Sequence, residues 1–534
     1  MTQTRNGKYF NKGLALKRFL SRPAQFSSLK TLSTSYGTTQ AQEEVQQAST
    51  NSNISRTKIS NALEVDNILN PEMTPPCPAP SSYFKISIDN NDATGEQKEM
   101  WESPSLNKLK EKNKLDSIAN EKGSMSLPSS IFNLAKVLIG AGMLSLPSGM
   151  SAGKGTGIGP AILTLIFSAV ASAYTFYTIG LSLKATNTTT YKVLLIHTHG
   201  QRMGWLVDLM IIMLGLSLGI LYADFVGDIF STLLKSFAFV PEWSTSRELV
   251  ILVISATVLG PLCLQRNLHA LRYSSYIGVS GAIYIAFFMV LRLLDSSYMP
   301  GGLYFKEDEE IGENDVSTWS FGLGSTVLIS MLTTAFTAHE NAPQFASQLK
   351  DFTHYRFSIV VFTAFGLSGC LYGIVMITGY LSFGSKCQGL ILDNFAESDP
   401  LAFLARLATG VSVLCSAPLV FAAFRESVSN CLEGTKINPS FSLLSLVLLC
   451  FVTFLSLFIS DLRFVISIIG SLVDGPMLFV LPVIVHLKVM HKYPKYKQGA
   501  NTILCNYCLL SFGLFLAFFA PIIATLNAYT SVLD

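Results

Sequence analysis

The stretch Phe132-Asn133-Leu134-Ala135-Lys136-Val137-Leu138-Ile139-Gly140-Ala141-Gly142-Met143-Leu144-Ser145-Leu146-Pro147 decides how this chain is read. It lies in an apolar run from Ser129 to Met150, a length that suits one membrane span. Yet two glycines weaken the centre of the helix, and a proline weakens it again. Lys136 stands one turn before the break. Hydrocarbon tolerates freed backbone groups and a charge only where protein or a water-filled cavity surrounds them. A span built this way suits a binding site for a small polar solute.

The rest of the chain supplies the membrane. Of 534 residues, 49% are hydrophobic and only 14% are charged, and the mean hydropathy is +0.42. Soluble domains carry about 25% charged residues. Apolar runs recur from Ser129 to the C-terminus, so an all-α, multi-pass integral membrane protein is expected. They fall at roughly Ser129–Met150, Ile158–Leu183, Trp205–Phe237, Leu249–Leu264, Tyr273–Leu294, Phe321–Ala338, Ser358–Phe383, Leu401–Phe424, Phe441–Ser460, Phe464–Leu487 and Ile503–Tyr529, about eleven spans. The third is long enough to tilt or project. A net charge of +3 gives no argument for nucleic acid. The nine cysteines mostly lie inside apolar runs and read as small hydrophobes. Cys505-Asn506-Tyr507-Cys508 has CxxC spacing but no second ligand pair nearby, so neither a metal nor a cofactor is expected.

Residues 1–127 are a different material, polar and rich in Ser, Thr, Asn and Gln, with prolines at Pro75, Pro76, Pro78 and Pro80. This composition cannot bury a core and reads as a disordered tail. Its first stretch, with Arg5, Lys8, Lys12, Lys17, Arg18, Arg22 and Lys30 and no acid before Glu43, resembles a transit peptide. No cleavage signal is evident, and a basic cytosolic tail near anionic lipid is the preferred reading. Alternate loops agree with that orientation. Lys184, Lys192, Arg202, Arg266, Arg272, Lys350, Arg356, Lys436, Lys488, Lys492, Lys495 and Lys497 share the side of the tail, which by the positive-inside rule is cytosolic. Lys154, Arg247, Lys306, Lys386 and the acidic run from Glu307 to Asp315 lie on the other side. The sequons at Asn53 and Asn187 fall on the cytosolic side, where no glycosylation is expected.

The sixth span repeats the theme of the first. Thr333-Thr334-Ala335-Phe336-Thr337-Ala338 runs into His339, Glu340, Asn341, Ala342 and Pro343. Interrupted segments at matching positions of two five-span halves point to an inverted-repeat transporter. The repeats would be about 129–294 and 319–487 within a domain of 128–530, with an extra helix at about 501–529. Amides at Gly142 and Met143 suit a carboxylate, and carbonyls freed around Ala335 to Ala338 suit an ammonium. Ile139, Gly140, Ala141, Gly142, Met143, Thr333, Thr334 and Thr337 are therefore the expected substrate-binding residues, for a zwitterionic amino acid.

The same residues carry a resemblance. Phe132-Asn133-Leu134 and Gly140 to Pro147 are similar to the first-helix signature of the amino acid/auxin permease family, which includes neutral amino acid transporters of system A and N type and vacuolar amino acid transporters. Gly227-Asp228, the stretch from Pro261-Leu262 through Arg266, Leu268, Leu271, Arg272 and Tyr273, His339 to Pro343, and Leu349-Lys350-Asp351 resemble further pieces of it. The resemblance covers Ser129 to about Tyr529. It implies a LeuT-type fold of five plus five helices in an inverted repeat with one extra, and secondary transport of neutral amino acids, as a symporter, by alternating access.

Lys136 departs from the sodium-coupled branch, where a neutral polar residue is common near the sodium site. The resemblance draws sodium ligands from the first and eighth spans, here Asn133, Val137, Ser412 and Ser416. Leu414 stands where that pattern tends to place a hydroxyl. An ammonium one turn from Gly140 would fill the space of a sodium ion and repel it, and a buried lysine can also exchange protons. Coupling to H+, or sodium-independent exchange, is thus expected over coupling to Na+. His339, Glu340, Asp224, Asp228 and Asp474 are further intramembrane ionisable groups, with His339 foremost because it adjoins the expected site. An amino acid sensor signalling through the long tail is the alternative. No nucleophile or metal motif argues for an enzyme. The sequence leaves open whether the membrane is vacuolar, another endomembrane or the plasma membrane.

Overall fold

Ser126 starts the first span. Its hydroxyl accepts from the amide of Ser129 at 3.4 Å, and Pro128 sits in the first turn, where a missing N–H costs nothing. Helix α1 (Leu127–Leu138) then ends because Ile139 and Gly140 are both extended, Gly140 at φ −127° and ψ −179°. A 3-10 turn (Ala141–Ser145) and the short α2 (Leu146–Ser151) resume the course, bent by 48° from α1. Gly140 does not take a positive φ, and neither does Gly142. What these glycines supply is bare backbone: a Cβ on Gly142 would meet nothing within 4 Å.

The computed structural model describes residues 85–86, 100–101, 123–153, 155–237, 239–265, 274–305, 316–432, 439–459, 461–493 and 499–533. The basic tail, the acidic run from Glu307 to Asp315 and the Arg266 to Tyr273 loop fall outside them. The chain divides into two compact units, Met1–Asn107 and Lys108–Asp534. In the first, a two-residue antiparallel pair is described, β1 (Lys85–Ile86) with β2 (Met100–Trp101).

The second unit is helical. After α2 come α3 (Ile158–Thr186), α4 (Tyr191–His199), α5 (Arg202–Lys235), α6 (Arg247–Ile254), a π turn (Ser255–Leu259), α7 (Gly260–Cys263) and α8 (Ser274–Leu294). Then follow α9 (Ser325–Ala335), a 3-10 turn (His339–Asn341), α10 (Ala342–Gln348), α11 (His354–Phe383), α12 (Pro400–Leu432) and α13 (Phe441–Ser456). The last stretch is α14 (Leu462–Ile469), two π turns (Gly470–Asp474 and Pro476–Val480), α15 (Leu481–Lys492) and α16 (Ala500–Leu533).

Among the described residues, six helical stretches are long and apolar enough to cross a membrane: α3, α5, α11, α12, α14 through α15, and α16. The bent pair α1–α2 makes a seventh. Length alone does not reach the expected eleven. A π turn divides the fourth apolar run, a break divides the sixth, and the fifth and ninth form shorter apolar helices. Leu163, Ile166, Phe167 and Val170 form an exposed stripe on α3 at helical spacing, and Phe515, Phe518, Phe519 and Ile522 do the same on α16. Such stripes are stable only against lipid. Asn187, at φ 53°, ends α3 in the left-handed conformation that asparagine tolerates.

The first and sixth spans lie against α11 and the tenth span. Gly149 on α2 faces Leu328 and Met331 on α9, and Gly470 faces the Ser330 carbonyl of α9 so closely that a Cβ would lie 2.0 Å from its oxygen. Phe176, Phe336, Phe345, Phe357 and Phe365 fill the space between α3, the sixth span and α11, all of them buried. Aromatic pairs of this kind add about 0.5–1.5 kcal/mol each beyond their buried area. The two breaks are thereby held in a rigid frame.

Candidate functional site

Both breaks free a carbonyl that an unbroken helix would use. In the first span it is Leu138, whose partner would be the amide four residues on. In the sixth it is Ala335. The Tyr372 hydroxyl, from the middle of α11, lies 2.5 Å from the Leu138 oxygen and 2.8 Å from the Ala335 oxygen. It shares its one proton between them. Tyr372 is buried, so neither carbonyl has water to turn to. One phenol thus joins the two interrupted spans.

Beside this junction opens a cavity of about 400 Å³. Lys136, Val137, Ile139 and Gly140 form one wall, from α1 and its break. Glu340 and Asn341 come from the sixth-span turn, Tyr222 from α5, Gly278 and Val279 from α8, and Ser412, Val413, Ser416, Leu419, Val420 and Ala423 from α12. Its size is within the range of small-molecule sites, about 300–1,000 Å³. A smaller cavity of about 20 Å³ continues past Ser412 to Met143, Leu144, Ala408 and Thr409, room for about one water. The large cavity is lined by one cationic side chain, one carboxyl, three hydroxyls and an amide on otherwise apolar walls. Glu340 Oε1 accepts from Asn341 Nδ2 at 2.7 Å, and its Oε2 is buried with no hydrogen-bond partner among the described residues.

The expected site residues divide. Ile139 and Gly140 line both cavities, and Met143 lines the smaller one. Lys136, Val137, Ser412 and Ser416 line the larger. Gly142 is in the 3-10 turn with open space at its Cα, and Ala141 begins that turn. The Met143 amide turns back to the Gly140 carbonyl at 3.4 Å. The Ala335 carbonyl faces Tyr372, and the Ala338 carbonyl accepts from the Asn341 amide at 2.9 Å. So part of the backbone polarity expected to meet a ligand is satisfied within the protein.

Thr333, Thr334 and Thr337 stand elsewhere, on the face of α9 and its break away from the cavity lining. Thr333 donates to the Ile329 carbonyl at 2.8 Å, Thr337 to Thr333 at 3.0 Å, and Thr334 reaches the Ile466 carbonyl at 3.3 Å. Asn133 donates to Ser129 Oγ at 3.5 Å, one turn up α1. His339 is buried against α3, with Nε2 2.9 Å from Thr175 Oγ1 and its ring edge-on to Phe176. Asp224 and Asp228 share one partner. Arg247 donates to Asp224 Oδ1 at 2.8 Å and to Asp228 Oδ1 at 2.7 Å, which ties α5 to α6. Tyr222 and Tyr372 carried no mark in the sequence, each being an aromatic residue in a long apolar run.

The far ends of the same helices are closed. Arg292, at the end of α8, forks onto Asp399 at 2.6 and 2.9 Å, and the Tyr298 hydroxyl donates to the same carboxylate at 2.9 Å. Tyr298, Phe288, Phe383 and Phe395 pack together next to it. Arg406 donates to the carbonyls of Leu392, Phe395 and Ala396. That end of the helices is therefore sealed by an ion pair and an aromatic cluster.

The chain has similar sequences among known proteins. The chain is 27% identical over 377 residues to vacuolar amino acid transporter 5 of Schizosaccharomyces pombe, covering 69% of this chain and 86% of that protein. It is 26% identical over 393 residues to putative sodium-coupled neutral amino acid transporter 11 of Danio rerio, covering 72% of this chain and 83% of that one. Among solved structures, inward-facing Mhp1 is similar at a TM-score of 0.49 and 12% identity, covering 77% of this chain and 92% of that one. The family model described as transmembrane amino acid transporter protein matches residues 123–526. The chain, with its two broken spans meeting at Tyr372, belongs to the family of transmembrane amino acid transporter proteins.

Proposed function

We propose that this protein is a secondary transporter of neutral amino acids that works by alternating access and does not require sodium. The observation that carries the reading is the cavity of about 400 Å³ at the first-span break, with Lys136 and Glu340 among its walls. Opposite charges about one small solute complement the two ends of a zwitterion. The substrate carboxylate lies toward Lys136 and the turn at Gly140 to Met143, and its ammonium toward Glu340. Val137, Val279, Val413, Leu419 and Val420 then receive an apolar or uncharged side chain. Closure of one end of the cavity-lining helices by the Arg292–Asp399 pair supports alternating access. With the tail and the basic loops in the cytosol, the sealed end lies on the opposite side of the membrane.

Lys136 is the argument against sodium. It shares a wall with Ser412 and Ser416, the hydroxyls that would otherwise hold the ion. Coupling to protons follows. The test is uptake of labelled neutral L-amino acids into proteoliposomes, with sodium and pH gradients imposed separately. Uptake that responds to the pH gradient and ignores sodium is the expected result. Uptake that needs sodium and keeps no pH profile overturns the coupling reading, and absence of any uptake overturns transport.

A further inference from the structure

Among the described residues, each aspartate inside a helix long enough to span the membrane has a cationic partner, with one exception. Asp208 has Lys192, Asp224 and Asp228 have Arg247, and Asp295 and Asp399 have Arg292. Asp474 has none. Its residue is 0% exposed, and neither carboxyl oxygen has a hydrogen-bond partner among the described residues. An ionised carboxylate in such a place is very costly. It also occupies a special position. It closes the first of two consecutive π turns, before Gly475 and Pro476, in the middle of the tenth span. Wide turns of this kind are frequent at functional sites.

The hydroxyls of Thr334 and Thr337 lie beside it, from the sixth-span break. They are held lightly: Thr334 by the Ile466 carbonyl at 3.3 Å and Thr337 by the Thr333 carbonyl at 3.0 Å. Gly470, one turn before Asp474, is in direct backbone contact with Ser330, so α9 and the tenth span are closely packed there. Among the charged and titratable groups around it, Glu340 at the sixth-span turn is the one that acts on Asp474. Helix α9 and the second π turn carry no titratable residue. Helix α14 carries Arg463, α16 carries Cys505, Tyr507, Cys508 and Tyr529, and α5 carries Arg202, Asp208, Tyr222, Asp224, Asp228 and Lys235. None of these is bonded to Asp474.

We propose that Asp474 is the proton-binding carboxyl of the transport cycle, read by the sixth-span break through Thr334 and Thr337. This rests on the transport reading above and adds the identity of the proton carrier. In the arrangement described, the carboxyl holds one proton. When the break moves and water arrives, the O–H bond opens, the carboxylate remains, and the proton leaves to the compartment then facing the site. Thr334 and Thr337 turn their hydroxyls to the carboxylate and release the Ile466 and Thr333 carbonyls. Binding a proton from the opposite compartment restores the first arrangement. The cycle moves one proton and consumes none. Lys136 excludes sodium in this scheme but carries no proton.

The experiment uses the full chain in proteoliposomes, with tritiated L-leucine and L-glutamine as probes. A gradient of one pH unit is imposed with no sodium gradient, then a sodium gradient with no pH gradient. At one proton per cycle, the wild type concentrates a probe about tenfold under the pH gradient. Asp474→Asn, which mimics the protonated form, keeps exchange of labelled for unlabelled probe within about twofold of wild type and loses the concentration. Asp474→Glu regains it with a shifted pH profile. The proposal is overturned if Asp474→Asn concentrates as the wild type does. It is also overturned if the wild type answers to sodium and not to pH, an outcome that leaves transport standing. A wild type that moves neither probe removes the transport reading itself. Should Asp474→Asn not fold, Asp474→Glu decides: an unchanged pH profile overturns the proposal.

Discussion

At the scale of a single residue, Tyr372 joins what the sequence separates. Its hydroxyl is 2.5 and 2.8 Å from two carbonyls that lie in different spans, Leu138 and Ala335. Removing it leaves one or both buried acceptors unsatisfied, at about 1–3 kcal/mol. Tyr372→Phe is therefore expected to lower the rate of amino acid exchange in proteoliposomes by about tenfold or more, while the protein elutes as wild type on size exclusion. An exchange rate unchanged by the substitution would mean that the breaks hold their geometry without the phenol. Gly140 and Lys136 could be read in advance because glycine and lysine are out of place in an apolar run. Tyr372 could not, because a tyrosine among the apolar residues of α11 is ordinary. Its role depends on where two other helices stop.

At the scale of elements, the prolines explain the wide turns. Each π turn ends two residues before a proline: Leu259 before Pro261, Asp474 before Pro476, and Val480 before Pro482. Proline has no N–H to give and clashes with the carbonyl four residues back. The amide just before it reaches five residues back instead, Gly260 to Ser255, Gly475 to Gly470 and Leu481 to Pro476. Hydropathy sees these runs as continuous spans and misses the turns. The tenth span also touches α9 at Gly470, where a Cβ would lie 2.0 Å from the Ser330 oxygen. A backbone oxygen cannot give way cheaply. Gly470→Ala should destabilise the protein by about 1–3 kcal/mol, seen as a lower Tm in detergent. A variant that melts with the wild type would show that this contact is not kept.

At the scale of the whole molecule, the sealed end is where pH bears on stability. Asp393 lies in the connection between α11 and α12, and burial with the nearby Asp228 carboxylate holds its carboxyl up at about 7, against the pull of Arg406 and Arg247. The folded protein thus keeps a proton there that the unfolded chain has lost above about pH 4. The contribution of this group to stability is complete below that pH, falls as pH rises toward 7, and is level above it. Asp393→Asn should raise Tm at pH 8, change it little at pH 4, and flatten the fall between the two. Equal shifts at both pH values would show that the effect is packing and not protonation.

What the sequence determined by itself is what depends on local composition. Apolar runs make membrane helices wherever they occur, because a buried backbone must satisfy its own hydrogen bonds. Glycines and prolines interrupt them at Gly140 and after Ala335 for equally local reasons. The family was legible for the same cause, since its motifs sit at those interruptions. Only the tertiary structure decided which groups face one another. It turned Thr333, Thr334 and Thr337 away from the cavity and brought Glu340 and Tyr222 to it. It paired Asp224 and Asp228 with Arg247 and left Asp474 without a cation. Those outcomes rest on the rotation and contact of helices hundreds of residues apart in the chain, and no local pattern carries that information.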